Sequence, residues 1–199
     1  MTNTLHNQLQ FIIETDKMKS IMRQTLLLDR SREESNAEHS WHFALTALAL
    51  FEHVGLQGVD INRVVKMAIV HDLVEIYAGD TPAFDTRGNQ DKAQREIEAA
   101  DKLFAFLPAH QAAEYRTLWE EFDAMETPDA IYAAAVDRFL PFLSNRLTNG
   151  HSWVKFGVGA SMVYKRIGVV KTAIPALWDF VVDTIDDAIE KGYIRDDMG

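Results

Sequence analysis

The sequence predicts an all-α fold, and three observations support this prediction. Apolar residues recur at helical spacing along most of the chain, whereas the alternation typical of strands is nearly absent. The chain has 199 residues, which fits one domain better than two. No repeat, low-complexity tract or interdomain linker divides it. We therefore expect one domain over residues 1–199, with a core at about residues 9–147 and C-terminal helices at about 161–191.

The first part of the chain predicts three helices. A first amphipathic helix is outlined by five apolar residues, Leu9, Ile12, Ile13, Met18 and Ile21. A polar connector at residues 26–36 precedes a second helix, which starts with AEHSWH and ends at Gly55, a suitable C-terminal glycine. Asp60 is a suitable N-cap for a third helix, which extends to His71 and Asp72.

The remainder of the chain predicts further helices after a turn-rich loop at residues 78–91. Two helices follow, around KAQREIEAADKLFAFL and EYRTLWEEF. Pro128 suits the first turn of the next helix, and Pro141 is expected to kink or break it. The last helical region covers about residues 161–191 and is interrupted near Pro175.

Composition narrows the possible functions. The formal net charge of −10 offers no broad basic surface to a long nucleic acid. Because the chain has no cysteine, histidine and carboxylate side chains are its only strong metal ligands. The first residues lack the basic start and apolar run of a signal peptide, and no run approaches the ~20 apolar residues of a membrane span. We therefore expect a cytoplasmic protein without a membrane partner.

Residues 69–80, IVHDLVEIYAGD, place several polar and charged groups in a segment that otherwise reads as core. Buried charges are costly unless a partner or an ion compensates them. Asp137 raises the same question, because its helix face carries small and apolar residues, namely Ala130, Ala133, Ala134 and Leu140. His39 has a simpler explanation as a polar residue at a helix start, and His71 with Asp72 as a hydrogen-bonded core pair. Together, however, these two histidines and two aspartates would form a mixed N/O site suited to a divalent transition metal.

Two further carboxylates lie close to this set in the sequence. Glu75 follows His71 by four residues and Asp72 by three, so on one helix it faces the same side. Such a carboxylate can take a proton from an attacking water, or it can instead hydrogen-bond to a ligand residue. Asp80, in AGDTP, is either a turn residue or a contact to the substrate.

The motifs AEHSWH, HDLVEIYAGDTP and AAAVD resemble the HD-domain metal-dependent phosphohydrolases, a family named after its His–Asp pair. The H-D-x-x-E spacing followed by Gly79–Asp80 is especially similar to the 5′-deoxynucleotidase branch, which removes phosphate from deoxynucleoside monophosphates. The resemblance covers roughly residues 9–147. It implies a helical bundle with the metal site between its central helices.

The resemblance also implies a role for each candidate residue. One divalent ion, whether Mn, Co, Fe, Ni, Mg or Zn, would be held by four ligands, His39, His71, Asp72 and Asp137. Glu75 would be the catalytic carboxylate, and Asp80 a contact to the sugar or the reacting groups. Only His110 lies between Asp72 and Asp137, so the extra histidines of binuclear relatives are missing and one metal is expected.

Three basic residues resemble substrate contacts of the family. Arg23 is similar to an arginine that holds the nucleotide phosphate, and relatives often follow that arginine with a tryptophan associated with excluding the ribose 2′-hydroxyl. This chain has Gln24 instead. Lys92 and Arg95 are spaced to share an anionic ligand, or equally to form ordinary ion pairs within their helix.

The sequence therefore predicts hydrolysis of a small phosphomonoester, with a (deoxy)nucleoside 5′-monophosphate as substrate and a nucleoside and phosphate as products. The family resemblance also implies a homodimer. One alternative is an HD phosphohydrolase that acts on another small phosphate ester. The other is a non-catalytic module that binds a metal or a nucleotide, for which Glu75 would not be needed.

Overall fold

The structure is a computed structural model that describes residues 3–85 and 88–199. Within these ranges the chain is predominantly helical, so the predicted all-α class is confirmed. The α-helices are α1 (Asn3–Thr15), α2 (Asn36–Leu50), α3 (Ile61–Val70), α4 (Glu75–Ala78), α5 (Lys92–Phe104), α6 (Ala109–Ala124), α7 (Pro128–Leu147), α8 (His151–Phe156), α9 (Ala160–Ile167), α10 (Val169–Ala173) and α11 (Trp178–Glu190). The strands are β1 (Met22–Leu26) and β2 (Glu33–Ser35). Thr86 and Arg87 of the predicted loop lie outside the described residues.

Helix α7 is central to the fold, because small side chains let its neighbours approach closely. It packs against α2, α3, α6, α9 and α10. Ala130, Ala133 and Ala135 are fully buried, and the size of the side chains at a contact sets how closely two helices can pack. The hydroxyl of Tyr132 donates to the backbone oxygen of Ala47 in α2 at 2.7 Å. Helices from both halves of the chain are thereby positioned on α7.

The first helix forms as predicted, but only part of its predicted apolar face packs, because Met18 is buried whereas two isoleucines are exposed. Ile12 and Ile13 are each 63% exposed. The helix instead docks through Phe11, whose ring meets that of Tyr115 in α6 edge to face, with centroids 5.8 Å apart. A 3₁₀ helix, Asp16–Ser20, follows. When a helix carries apolar residues on more than one side, periodicity alone does not identify the side that packs.

The predicted polar connector at residues 26–36 contains part of a hairpin that the sequence analysis missed. Strands β1 and β2 pair antiparallel, with Met22 opposite Ser35 and Leu26 opposite Glu33. The second strand is short and charged, so it lacks the alternating apolar pattern by which strands are identified. The hairpin leads the chain from β1 through β2 directly into the start of α2.

Helix α2 begins at a capping box formed by Ser35 and Glu38. The Ser35 hydroxyl oxygen accepts from the backbone N–H of Glu38 at 3.3 Å, and the Glu38 carboxylate accepts from the backbone N–H of Ser35 at 2.9 Å. Arg32 donates to the same carboxylate at 2.9 Å. A capping box fixes the residue at which the first helical turn starts. It therefore fixes the direction in which His39 points.

Gly55 does not end this helix as predicted. Helix α2 stops at Leu50, and a 3₁₀ helix, Phe51–His53, follows. A Cβ atom at Gly55 would lie 2.7 Å from Cδ of Pro175, and the Gly55 N–H donates to the oxygen of Ala173 at 2.9 Å. The absence of a side chain is thus needed for close packing against the segment between α10 and α11, rather than for a helix cap.

Asp60 caps α3 as predicted, because its side chain accepts from the N–H of Asn62 at 2.9 Å. The helix does not continue unbroken to Glu75, however. It ends just before His71, and α4 begins at Glu75 after a tighter turn in which the Glu75 N–H donates to the oxygen of Asp72 at 3.0 Å. The turn changes the direction of the chain where the predicted site residues lie.

Pro128 occupies the first turn of α7 as predicted. Pro141 lies inside α7 and does not break it. Because proline lacks an N–H, the backbone oxygen of Asp137 loses its usual helical donor. Burial of Phe139 and Phe142 on either side of the proline stabilises the helix enough to offset that loss.

The C-terminal helical region is confirmed, with an interruption by a 3₁₀ helix at Pro175–Leu177. Val181 and Ile185 of α11 are fully buried, so the apolar face of this helix belongs to the core. None of the described helices combines the length and the apolar character that a bilayer crossing requires.

We expect Ser35→Ala to lower the free energy of unfolding by about 1 kcal/mol, because it removes one member of the capping box. Urea denaturation followed by circular dichroism measures this loss. Thr117→Ala is the matched control, since Thr117 lies exposed within α6 rather than at a cap. Equal stability of the Ser35 variant and the control would show that the capping box does not stabilise α2.

Candidate functional site

The structure brings the four predicted metal ligands together from three parts of the chain. His39 lies in α2, His71 and Asp72 follow α3, and Asp137 lies in α7. Ligand atoms of His39, His71 and Asp72 lie within 4.8 Å of one another. Oδ1 of Asp137 is 3.0 Å from Nε2 of His39 and 3.7 Å from Nε2 of His71. We call these four residues the His–Asp cluster.

The hydrogen bonds of His71 determine which of its ring nitrogens faces the cluster with a lone pair. Nδ1 lies 3.0 Å from the backbone oxygen of Ala68. A carbonyl oxygen only accepts, so Nδ1 carries the proton and, in the neutral ring, Nε2 carries a lone pair. Nε2 is buried and has no hydrogen-bond partner among the described residues, although Asp72 Oδ2 is only 3.1 Å away. The ring is held in place between Phe43 and Phe122, with centroid distances of 5.2 and 4.9 Å.

This arrangement fits a cation. The lone pair of His71 and the carboxylate oxygens of Asp72 and Asp137 all accept, and acceptors repel one another when no hydrogen or positive ion separates them. A set of two imidazoles and two carboxylates matches the ligand preferences of divalent transition metals. A single divalent ion would bind the unpartnered nitrogen of His71 and would also compensate the charge of the crowded carboxylate oxygens.

His39 is fully buried and lies between two carboxylates. Its Nε2 is 3.0 Å from Asp137 Oδ1, and its Nδ1 is 3.7 Å from Oε2 of Glu34 in β2. Burial and the charge of Arg23 oppose protonation, but Asp137 and Glu34 prevail and raise the pKa of His39. The carboxylates around His39 therefore favour positive charge at this point of the cluster.

The two aspartates of the cluster remain ionised. Burial opposes ionisation, yet nearby positive charge, including that of Arg23, lowers the pKa of Asp72. For Asp137, burial is likewise outweighed by a hydrogen bond from His39, and its pKa is lowered. Oδ2 of Asp72 also accepts from Nη1 of Arg23 at 2.6 Å. Both groups are thus available as anionic ligands at neutral pH.

Glu75 is buried and lies beside the cluster. The side-chain amide of Asn36 donates to its Oε2, and the oxygen of the same amide is 3.5 Å from Nη1 of Arg23. Burial and the charges of Asp72 and Asp80 hold the pKa of Glu75 well above its usual range. Glu75 is therefore more basic than an exposed glutamate, the property required of a carboxylate that accepts a proton near neutral pH.

The cluster opens into a cavity of about 260 Å³. The polar part of its lining consists of charged residues, Arg23, Asp72, Glu75, Asp80, Lys92, Asp123, Asp137, Arg138 and Arg166. The lining also includes apolar side chains of α7, α8 and α9, which we call the apolar lobe, namely Phe142, Trp153, Phe156, Val163 and Ile167. The site thus combines charged and apolar walls.

Asp80 and Lys92 both reach the polar part of the cavity, as the sequence analysis predicts for substrate contacts. Gly79, with a φ of +77°, ends α4 and turns the chain so that Asp80 comes back towards the cluster. Burial raises the pKa of Asp80. Lys92 Nζ lies 3.4 Å from Oε1 of Glu96.

Arg95 does not line this cavity. Its guanidinium donates to the backbone oxygens of Ala78 and Gly88 and to the hydroxyl of Thr81, and its Nε donates to Asp91 at 3.0 Å. These acceptors occupy the donors of Arg95. The structure therefore assigns Arg95 to holding the loop after α4 instead of binding substrate.

Three residues near the cluster escaped the sequence analysis. Asn36 lies three residues before His39 on the same helix, a spacing that could have indicated a shared face. Glu34 lies in β2, a segment that the sequence predicts to be a polar connector, so its role near His39 is not predicted. Arg166 lies in α9, where its guanidinium is 3.9 Å from Asp137 Oδ2, and no local pattern in the sequence links the two residues.

Comparison with known proteins assigns the chain to a family. Residues 15–178 match the family described as HD domain. A crystal structure of a protein from Magnetospirillum magnetotacticum MS-1, described as a predicted metal-dependent phosphohydrolase, has a TM-score of 0.90 and 44% identity, covering 96% of this chain and 95% of that chain.

Curated relatives are more distant. The chain is 28% identical to the 5′-deoxynucleotidase HDDC2 of Bos taurus over 133 residues, which cover 66% of this chain and 63% of that protein. It is 29% identical to the 5′-deoxynucleotidase HDDC2 of Dictyostelium discoideum over 141 residues, 68% of this chain and 74% of that protein. The match thus spans slightly less than two thirds of the length of the bovine relative.

We expect His71→Ala and Asp137→Ala each to abolish stoichiometric uptake of a divalent ion such as Mn²⁺, because each removes one of the four clustered ligand groups. Elemental analysis of protein dialysed against the ion measures the effect. His53→Ala is the control, since His53 is 47% exposed and its nearest carboxylate partner is Glu52. Full metal content in both cluster variants would contradict the assignment.

Proposed function

The chain belongs to the HD-domain family, and on that premise we propose that it is a metal-dependent phosphohydrolase acting on a small phosphomonoester. The best candidate substrate is a (deoxy)nucleoside 5′-monophosphate, which would be converted to the nucleoside and inorganic phosphate. The observation that carries the proposal is the buried His–Asp cluster next to Glu75, on the wall of a cavity of about 260 Å³.

One divalent ion would be held by the His–Asp cluster, and Mn, Co, Fe, Ni, Mg and Zn are all compatible with its donors. When bound, the ion would offset the negative charge of the phosphate and favour ionisation of water. The backbone oxygen of Ala68 accepts from Nδ1 of His71. It would orient this ring so that Nε2 presents a lone pair to the ion. Oε2 of Glu34 lies 3.7 Å from Nδ1 of His39, on the side of that ring away from Asp137.

Glu75 would take a proton from the water that attacks phosphorus. Its pKa is raised by burial and by neighbouring carboxylates, and the amide of Asn36 fixes one of its oxygens. The water oxygen bonds to phosphorus, the P–O bond to the alcohol breaks, and the leaving oxygen takes up a proton equivalent to the one that Glu75 accepted. Asp80 lines the same cavity and also has a raised pKa, so it is suited to contact the sugar or the leaving oxygen.

Arg23 and Lys92 would bind the phosphate. Arg23 is anchored on Asp72 at 2.6 Å, and a guanidinium has further donors for phosphate oxygens. Lys92 lines the cavity and is paired with Glu96 at 3.4 Å. Both cations would lower the electrostatic cost of bringing a dianionic phosphate among carboxylates.

The apolar lobe favours a nucleotide over a purely polar phosphate ester. Phe142 and Trp153 form an edge-to-face pair with ring centroids 5.5 Å apart, and Phe156 lines the lobe beside them. Aromatic and aliphatic walls are typical of pockets for planar apolar groups such as nucleobases. A sugar phosphate would leave this surface without a partner.

Two alternatives remain distinguishable by experiment. Another small phosphate ester would be identified by a phosphate-release screen over nucleotides, sugar phosphates and cyclic dinucleotides with several divalent metals. A non-catalytic binding module would bind metal and nucleotide without releasing phosphate. The position of Glu75 beside the His–Asp cluster, on the wall of the cavity, favours the enzyme, because ligand binding alone does not require that carboxylate.

We also propose a homodimer located in the cytoplasm. Trp41, Leu45 and Leu48 lie on one side of α2 and are 65%, 49% and 54% exposed, an arrangement suited to an interface. Sedimentation velocity measures the oligomeric state, and microscopy of a tagged protein measures the location. Monomers at micromolar concentration would remove the dimer from the proposal.

We expect Glu75→Gln to lower kcat by roughly 10²–10⁴-fold, the range for losing a positioned acid–base group. Glutamine preserves the shape of the side chain and an acceptor for Asn36, so metal content and nucleotide affinity should change little. Calorimetry, elemental analysis and phosphate release on one preparation test this. Near-normal turnover would leave Glu75 a positioning role only and would require another proton acceptor.

We expect weak discrimination between deoxyribonucleotides and ribonucleotides. Gln24 lines the cavity and its side-chain oxygen accepts from Lys155, so no large aromatic side chain at this position excludes the 2′-hydroxyl. Ratios of kcat/KM for paired dNMP and NMP substrates measure the selectivity. A preference near 100-fold, about 2.7 kcal/mol, would show that another group excludes the ribose.

A further inference from the structure

A further arginine on the wall of the cavity is Arg166, which lies in α9. Its side chain is 35% exposed, and it lines the polar part of the cavity. Among the described residues, its guanidinium makes no hydrogen bond, and Nη2 is 3.9 Å from Oδ2 of Asp137. That separation exceeds the 2.7–2.9 Å of a charge-assisted hydrogen bond by about 1 Å. All five N–H donors of Arg166 are therefore available to a ligand.

The other arginines near the site differ in this respect. Arg138 donates to the backbone oxygen of Arg166 and to the sulfur of Met125, and Arg95 is occupied by the loop after α4. An arginine that served only to neutralise Asp137 would be expected to form a short, direct hydrogen bond to it. The open geometry of Arg166 points instead to an anion in the cavity.

Arg166 and Arg23 flank the His–Asp cluster through different aspartates. Arg23 lies 2.6 Å from Oδ2 of Asp72, and Arg166 approaches Oδ2 of Asp137. Oδ1 of Asp137 faces the two histidines, so its carboxylate separates Arg166 from the centre of the cluster. A group bound at the cluster would have one guanidinium near each aspartate.

We propose that Arg166 binds the phosphate of the substrate, and the inorganic phosphate left after hydrolysis, together with Arg23. This inference rests on the proposed phosphohydrolase function and names a residue that sets its selectivity. A terminal phosphate has three non-bridging oxygens and suits two planar guanidinium groups, whereas a phosphodiester has only two such oxygens and one charge. The pair of arginines therefore selects monoesters over diesters.

The charges around the cavity agree with a dianionic ligand. Among the described residues that line it are five carboxylates and four cationic Lys or Arg side chains. A divalent ion in the His–Asp cluster changes this excess of negative charge into an excess of positive charge. Arg166 is needed for that balance, because it is one of the four cations and makes no hydrogen bond to the described residues.

Titration of inorganic phosphate into the Mn²⁺-loaded protein, followed by calorimetry, tests this role without requiring turnover. We expect Arg166→Gln to weaken phosphate binding by about 10- to 100-fold, the effect of removing hydrogen bonds to a charged group, and to raise KM for phosphomonoesters similarly. Arg166→Lys, which keeps the charge but loses the planar fork, should fall between wild type and Arg166→Gln. Lys165→Gln is the control, since Lys165 is exposed on the same helix.

Unchanged phosphate affinity and KM in folded Arg166→Gln with full metal content would overturn the inference. Loss of metal in step with loss of phosphate would also overturn it, because Arg166 would then act by supporting Asp137. Failure of the wild-type protein to hydrolyse any phosphomonoester would instead reject the proposed function. The phosphate titration would still decide whether Arg166 binds the anion.

Discussion

The central constraint on this structure is the burial of acceptor groups with too few hydrogens between them. Asp72 and Asp137 are ionised, and Nε2 of His71, which carries a lone pair in the neutral ring, lies 3.1 and 3.7 Å from their oxygens. Desolvated acceptors at these distances destabilise one another unless positive charge separates them. Arg23 provides part of that charge. A divalent ion in the cluster would provide the rest.

Several local features place these groups at one point. The capping box at Ser35 fixes the start of α2 and so the direction of His39. A tight turn after α3 directs the side chains of His71 and Asp72 towards the cluster. Small alanine side chains allow α7 to pack closely enough to bring Asp137 to the same point. These features do not depend on the cluster for their own stability. Each one orients a residue that would otherwise be costly to bury, so the site depends on the whole helical framework.

The sequence was sufficient to identify residues whose chemistry conflicts with their surroundings. Charged groups in apolar helical segments, such as Asp72 and Asp137, stand out because the helical period assigns them to buried faces. Arg166 and Glu34 could not be identified in this way, since one lies in a distant helix and the other in a short charged strand. Arg95 is the opposite case. Its spacing from Lys92 fits a contact to a shared anion, but its guanidinium instead donates hydrogen bonds to nearby backbone oxygens.

The fold itself was predictable to a similar degree. Helix starts at Asp60 and Pro128 follow from local chemistry, and the structure confirms both. The packed side of α1 and the continuity of α7 through Pro141 depend on tertiary contacts, which override local preference. The apolar lobe has the same origin, because α7, α8 and α9 meet there only in the folded chain.

Anomalous diffraction from crystals grown with Mn²⁺ tests most directly whether this cluster is a metal centre. We expect a single strong anomalous peak with His39, His71, Asp72 and Asp137 as its protein ligands. The side chain of Glu75 should lie beside the ion without being required as a ligand. Absence of a peak at the cluster, or an ion bound elsewhere while a water or a proton satisfies His71 Nε2, would contradict the account.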